Sequence, residues 1–245
     1  MSSGRRVAAL VLAAGRGERL GHALPKAFVP LRGRTLLVRS IERLRASGVI
    51  DWVQPVLASG DLARVASTED GPGSEIVARP VAGGAERQDS MRAGLAVLPP
   101  EVELVAVHDA ARCLVSPDDV RAVVEAGRTH GAAILAERAR DTIKRVEQGR
   151  VVETPDREHC WAAQTPQVVR RDWLESAVDA AVGAGRQATD DAQLVEWAGH
   201  VVHVVEAQAP NPKITRPEDL ILAEALLGLE TGHGEDFEPQ TMEHS

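Results

Sequence analysis

Residues 7–14, Val-Ala-Ala-Leu-Val-Leu-Ala-Ala, are uninterrupted by any polar side chain and run straight into Gly15-Arg16-Gly17-Glu18-Arg19. An apolar run without polar alternation reads as a strand covered on both faces, as in a parallel α/β sheet. Strand-end loops are where open α/β sheets bind ligands, and glycines let backbone N–H groups approach anionic oxygens. Arg19 and Lys26 add charge that backbone dipoles lack. The stretch therefore reads as a cradle for a phosphate chain. It fits neither common phosphate motif: Leu20 stands where a dinucleotide fingerprint needs its third glycine, and Lys26 lies between Pro25 and Ala27 rather than in a Gly-Lys-Ser/Thr loop. The competing reading is an ordinary strand-to-helix turn with solvated arginines.

Apolar runs and helical patterns then alternate along the chain, which implies βαβ units around a mainly parallel sheet. Residues 34–47 read as a helix with Leu36, Leu37, Ile41 and Leu44 near a 3.6-residue period. Strands are expected at 51–57, 75–78, 104–108, 132–136 and 200–205, and helices at 61–67, 117–130, 172–182, 191–197 and 216–229, with a further helix running to 98 that Ser90 either begins or sits early in. Gly83-Gly84-Ala85 before Ser90 makes either a floor for a flat ligand or a plain turn and cap. Asp109, at the end of the apolar run 104–108, suits a Mg²⁺ ion shared with phosphate, and Arg112 suits a second anion; a helix cap and a surface arginine are the alternatives. His108 reads as structural. Ser116 and Pro117 mark a helix start, and Thr215 with Glu218 resembles a capping box. Polar and apolar residues alternate about Gly149, a hairpin signature over roughly 138–161 that is either an arm or a solvated excursion.

Composition narrows the function classes. The 245 residues carry 28 basic and 36 acidic side chains, a net charge of −8, which argues against nucleic-acid binding and makes the local cations near Gly15 more telling. Aromatic residues are 2% and tyrosine is absent, so Ala, Val, Leu and Ile must build the core. Cys113 and Cys160 are too few for a disulfide framework and lack metal-ligand spacing, in keeping with a cytoplasmic protein. Arg5-Arg6 ahead of the first apolar run imitates a signal peptide, but the run is at the short limit and the glycine loop fits a first strand better. No apolar stretch is long enough to span a bilayer. One domain over 1–229 and a polar, frayed tail over 230–245 are expected.

LAAGRGERLG with PKAFVPL, GGAERQDSM, VHDAAR, RDTIKRV, AQTPQ, TDDA and NPKITRPEDL follow one another in this order. Together they resemble the 2-C-methyl-D-erythritol 4-phosphate cytidylyltransferases of the non-mevalonate isoprenoid pathway, over about residues 6–228. The first motif is shared by many nucleotidyltransferases; HDAAR with AQTPQ and KITRPED is far more specific. The resemblance implies a Rossmann-like three-layer α/β fold with a mainly parallel twisted sheet, a projecting β-arm and a homodimer. It implies transfer of CMP from CTP to 2-C-methyl-D-erythritol 4-phosphate, giving 4-diphosphocytidyl-2-C-methyl-D-erythritol and pyrophosphate, with Mg²⁺ or another divalent cation.

By motif position the resemblance makes Arg19, Lys26, Arg157 and Lys213 catalytic. Ala13, Ala14, Gly15, Gly17, Gly84, Ala85, Ser90, Asp109 and Ala110 become the nucleotide site, with Asp109 also holding the metal. Arg112, Thr142, Arg157, Thr165, Thr189 and Lys213 take the sugar-alcohol phosphate, Thr142 and Arg157 reaching a partner subunit from the arm. Three positions depart from the family pattern: Ala85 where Asp is frequent, Cys113 where Pro usually follows HDAAR, and Cys160 where Leu usually precedes Trp161. Both cysteines thereby read as inert occupants of structural slots.

The chemistry suits the residue types. A substrate phosphate attacking a nucleotide phosphate brings two anions together, so positioning and charge neutralisation are what a catalyst must supply. Arg, Lys and one metal-binding Asp meet that need without a nucleophilic Ser or Cys or a His base. A ribitol or other polyol phosphate cytidylyltransferase is the nearest alternative, disfavoured by HDAAR. An NAD(P)-dependent oxidoreductase lacks its third glycine and catalytic Tyr here, and a non-catalytic nucleotide-binding protein has no call for the full set Arg19, Lys26, Asp109 and Lys213.

Overall fold

The computed structural model describes residues 6–15, 17–22, 24–66 and 76–231. Strand β1 (Arg6–Ala13) is followed by two 3-10 turns, Glu18–Leu20 and Lys26–Phe28, and by the short paired strands β2 (Pro30–Leu31) and β3 (Arg34–Thr35). Then come α1 (Leu36–Ala46), β4 (Trp52–Leu57), α2 (Leu62–Ala66), β5 (Val81–Ala82), α3 (Arg87–Leu95), β6 (Val102–Asp109), α4 (Pro117–His130) and β7 (Ala132–Arg138). The chain continues through β8 (Arg145–Glu147), β9 (Arg150–Glu153), β10 (Trp161–Arg170), α5 (Arg171–Gly183), α6 (Asp191–Trp197), β11 (His203–Glu206) and α7 (Pro217–Thr231).

Seven strands form one sheet in the order β11-β7-β10-β6-β1-β4-β5. Only β10 runs against its neighbours; the other pairings are parallel. The apolar first strand lies between β6 and β4, as its lack of alternation requires. Val7, Ala9 and Val11 pack into one core with Leu37 and Leu44 of α1 and Val120, Val123 and Val124 of α4. Ala8 and Leu10 face the other way, onto Met91 and Leu95 of α3, Leu174 and Val178 of α5, and Leu194 of α6. Helices thus cover both faces, the three-layer Rossmann-like arrangement. A third cluster joins Leu20, Leu31, Leu36, Leu114 and Ile214 to Ala223 and Leu227 of α7.

This topology places the site. From β1 the chain moves to β4 and β5 on one side, then crosses back to β6 on the other. The carboxyl end of β1 is therefore a switch point, where open α/β sheets leave a crevice for ligand. Leu12 pairs with Asp109 across the β1–β6 ladder, and Ala13 pairs with Leu57 on the β4 side.

Several sequence expectations are corrected. The first helix begins at Leu36, because Arg34 and Thr35 pair with β2 and the Thr35 hydroxyl caps the helix by accepting from Val38 N at 3.2 Å. The strand expected at 75–78 is reduced, among described residues, to a single bridge between Val77 and Val53; the edge strand is β5, and Glu75 lies outside the described residues. Ser90 sits early in its helix, which starts at Arg87 but ends at Leu95 rather than 98, and the helix expected at 61–67 is Leu62–Ala66, Ser67 lying outside the described residues. The last strand begins at His203 rather than 200. The α7 start is capped by Asp219 instead of Glu218: its Oδ2 accepts from Thr215 N at 2.7 Å, Thr215 Oγ1 at 2.8 Å and Arg216 N at 2.8 Å. The hairpin at 138–161 is present as β8 and β9, turning on Gln148 and Gly149 with φ of 49° and 77°. Arg16 and the tail beyond Thr231 lie outside the described residues.

Candidate active site

At the switch point the backbone leaves β1 at Ala14 and winds through Gly17 into the first 3-10 turn, where Leu20 N donates to Gly17 O at 2.9 Å. Leu20 is 4% exposed and anchors this loop in the third cluster, which is why a third glycine would not serve here. Arg19 is exposed on the same turn. The second turn begins at Lys26 and is held by the buried Ala27 and Phe28, so the Lys26 side chain projects from a fixed base. The opposite wall is the turn after β5. Gly83 N donates to Leu57 O at 2.7 Å, and a Cβ on Gly83 would lie 2.6 Å from Ser90 Oγ and 2.7 Å from Ala14 Cβ. Backbone, Ser90 and Ala14 therefore meet at close quarters, a flat slot with polar edges.

Asp109 closes β6 at the floor, only 9% exposed. Its Oδ2 is 2.7 Å from Lys213 Nζ, and its Oδ1 is 3.3 Å from Arg87 Nε. Burial alone would raise its carboxyl, but Arg87 and Lys213 hold it far below the usual carboxylate range. Lys213 is aimed by its neighbours in sequence. Asn211 is buried and donates to Gln164 Oε1 and Thr165 O, both at 3.0 Å, while Ile214 is fully buried and its N–H donates to Ala111 O at 2.9 Å. Lys26 is pushed below the ordinary lysine value by burial, then by Lys213, with Asp109 opposing. The result is a cationic cleft of about 630 Å³ with one deep carboxylate.

Ala13, Ala14, Gly15, Gly17, Arg19, Lys26, Gly84, Ala85, Ser90, Asp109, Ala110 and Lys213 all line this cleft. Five candidates do not. The Thr165 hydroxyl sits behind the floor, accepting from Asp109 N at 3.1 Å and lying 3.1 Å from His108 Nδ1. Arg112 donates to Asn211 O at 2.7 Å and to Ala163 O at 3.3 Å, so backbone carbonyls occupy its Nη donors. Thr189 is exposed ahead of α6, its N–H donating to Gln193 Oε1 at 3.0 Å. Thr142 and Arg157 are exposed on the arm, and Arg157 Nη1 donates to Arg140 O at 3.3 Å.

Arg87 and Glu86, which also line the cleft, and Asp191, which Arg87 Nη1 meets at 2.7 Å, are not among the candidates that the sequence offers. Arg87, three residues before Ser90 in the same turn of α3, was an available signal. Asp191 was not: it follows Asp190, the actual cap, and only the fold turns one of the two carboxylates inward. His108 is fully buried, and burial pushes its imidazole down to about 4, so it is neutral and structural as expected. Cys113 is buried in the third cluster and burial pushes its thiol up to about 11, which agrees with an inert slot.

A metal must be judged from the donors present. Among the described residues no group of three or more His, Cys, Asp or Glu is placed to hold an ion. Asp109 alone offers a hard oxygen at the floor. That donor set cannot cage a cation by itself but fits Mg²⁺, which is commonly held by one or two carboxylates together with substrate phosphate.

Known proteins resemble this chain over nearly its whole length. Residues 7–229 match the family described as 2-C-methyl-D-erythritol 4-phosphate cytidylyltransferase. A protein of that name from Pelotomaculum thermopropionicum is 42% identical over 230 residues, covering 93% of this chain and 96% of its own. One from Symbiobacterium thermophilum is 44% identical, over 90% and 92% of the two chains. Among solved structures, 4-diphosphocytidyl-2C-methyl-D-erythritol synthase from Anaerococcus prevotii superposes with a TM-score of 0.81 at 28% identity, covering 92% of this chain and 99% of that one. The 2-C-methyl-D-erythritol 4-phosphate cytidylyltransferase of Thermus thermophilus gives a TM-score of 0.72 at 36% identity, covering 90% and 98%. With that match spanning the sheet, the glycine loop and the Asp109–Lys213 floor alike, the chain belongs to the 2-C-methyl-D-erythritol 4-phosphate cytidylyltransferase family.

Proposed function

We propose that this chain transfers CMP from CTP to 2-C-methyl-D-erythritol 4-phosphate, releasing pyrophosphate, in isoprenoid precursor synthesis. The observation that carries the reading is the convergence of Arg19, Lys26, Lys213 and Asp109 on one cleft beside a Gly–Ser slot. In this account Ala13, Ala14, Gly84, Ala85 and Ser90 hold the cytidine, and Gly15 and Gly17 bring backbone to the triphosphate. An oxygen of the substrate phosphate attacks the α-phosphorus of CTP. The new P–O bond forms as the bond to the β-phosphate oxygen breaks, and pyrophosphate leaves.

Arg19 and Lys26 stabilise the charge on the transferring phosphate. Lys213 lets go of Asp109 to meet the incoming phosphate, a short movement for an exposed side chain. Arg112, Thr165 and Thr189 flank the acceptor, Thr165 also fixing the Asp109 backbone. A magnesium ion on Asp109, when bound, neutralises triphosphate charge and eases pyrophosphate departure.

The arm, whose strands β8 and β9 are exposed throughout and carry Val146, Val151 and Val152 outward, serves as the dimerisation element. Thr142 and Arg157 lie outside this chain's own cleft because they complete a partner's. Residues 1–229 act as one domain, and the enzyme works in the cytoplasm, where the two free cysteines stay reduced.

Pyrophosphate release on mixing the protein with CTP, Mg²⁺ and each candidate polyol phosphate tests the reading. Release with 2-C-methyl-D-erythritol 4-phosphate, and a loss of ~10²–10³-fold in kcat for Lys26→Ala with unchanged circular dichroism, is the expected result. Faster turnover with ribitol 5-phosphate, or wild-type turnover in Lys26→Ala, overturns it.

A further inference from the structure

Arg87 links the cleft to the protein interior. Its Nε lies 3.3 Å from Asp109 Oδ1 and its Nη1 2.7 Å from Asp191 Oδ1. The Asp191 side chain is 1% exposed, and its Oδ2 has no hydrogen-bond partner among the described residues. A carboxylate so far from water is strongly unfavourable unless paired, so Asp191 stands there because Arg87 does. Its place is rigid. It opens α6, and the next residue is clamped where Ala192 N donates to Gln167 Oε1 at 2.8 Å.

The charges on the cleft wall give this pair a consequence. Arg19, Lys26, Arg87 and Lys213 line the cleft against the carboxylates Asp109 and Glu86. Such an excess of positive charge favours a triphosphate and disfavours a divalent cation. An Arg87 released from Asp191 would also swing wholly onto Asp109, where a guanidinium fork can cover both oxygens. We propose that Asp191 is a positioning residue: a buried counter-charge that keeps Arg87 divided between two carboxylates and so leaves Asp109 open to the divalent cation that accompanies the nucleotide.

This rests on the cytidylyltransferase reading and extends it to residues beyond the cleft lining. It predicts opposite signs for the two charged ligands. Asp191→Asn removes negative charge, so metal-free CTP binds more tightly while the cation is disfavoured. A pair that merely ties α3 to α6 would on removal weaken both.

Calorimetric Kd values for CTP, measured in EDTA and in Mg²⁺ without the acceptor phosphate, read this directly. In Asp191→Asn the preference for Mg·CTP over metal-free CTP falls about tenfold, with metal-free CTP bound at least as tightly as by wild type. An unchanged preference in the folded variant, or parallel weakening of both ligands, overturns the proposal. Arg87→Lys keeps the charge but cannot reach both carboxylates, so it carries the test alone if Asp191→Asn does not fold. With the division lost and the total cleft charge unchanged, its preference for Mg·CTP departs from wild type by about threefold or more; a wild-type preference in folded Arg87→Lys equally overturns the proposal. Failure of the wild-type protein to bind CTP at all refutes the enzymatic reading instead, and the two failures are distinguishable.

Discussion

Gly17→Ala is the sharpest probe of how the loop works. Gly17 adopts φ +67°, where an L-residue is strained by about 1–2 kcal/mol. The added Cβ also meets Lys26: it would lie 3.3 Å from Cγ and 3.4 Å from Cα, and closer to the Lys26 Cβ than the 3.0 Å limit of real contacts. Relaxed carbon–carbon contacts sit near 3.5–4.0 Å, so Lys26 must retreat by roughly 1 Å from its Ala27–Phe28 anchor. A displacement of that size at a reacting centre costs about 10²-fold in rate, or about 2.7 kcal/mol. Gly21→Ala is the matched control, since Gly21 has φ +63° but nothing within 4 Å of its Cβ. Steady-state pyrophosphate release and thermal melting separate the terms. Both variants lose about 2–4 °C or somewhat more in Tm from backbone strain, and only Gly17→Ala loses kcat. A Gly17→Ala enzyme within threefold of wild type, or a Gly21→Ala enzyme equally impaired, refutes the claim that the loop exists to hold Lys26 in place.

Three other outcomes are expected. If the arm acts across subunits, Lys26→Ala and Arg157→Ala protomers, each inactive alone, recover about a quarter of wild-type sites on co-expression in equal amounts, because half the dimers are mixed and each mixed dimer holds one intact site; no recovery places the arm in its own subunit. Cys113 is fully buried and its thiol is raised from 9.0 to about 11, so the unfolded chain ionises first and stability present below pH 9 is lost as pH rises toward 11, by up to about 3 kcal/mol; Cys113→Ala flattens that alkaline limb of the Tm profile, and iodoacetamide labels half-buried Cys160 well before Cys113. Asp219→Ala strips three hydrogen bonds from the α7 start and lowers stability by about 1–2 kcal/mol, measured by urea denaturation, while Glu218→Ala changes it by about 0.5 kcal/mol or less.

What the residues determine by themselves is local. The unbroken apolar run of β1 requires cover on both faces, and that alone implies a parallel sheet with helices on each side. Ser116-Pro117, the Gln148-Gly149 turn and the loop after β1 are legible because caps, turns and phosphate cradles use particular residue types at particular spacings. The motif order then ties Arg19, Lys26, Asp109 and Lys213 to one chemistry while they are still far apart along the chain. Edges and boundaries are less legible. Thr35 became a cap and Arg34 a strand residue through pairing with β2, and Asp219 took the role expected of Glu218, since both are acids one residue apart and only backbone geometry chooses between them.

Tertiary structure decided the rest, for a physical reason that Asp190 and Asp191 make plain. The two are chemically identical and adjacent, yet one caps α6 and the other is buried against Arg87. Burial, and with it the sign and strength of an electrostatic interaction, depends on what the rest of the chain brings to cover a group. It was the crossing of β6 beside β1 that carried Asp109 to the loop, and the docking of α6 on α5 and β7 that brought Asp191 within reach of Arg87 as its second carboxylate.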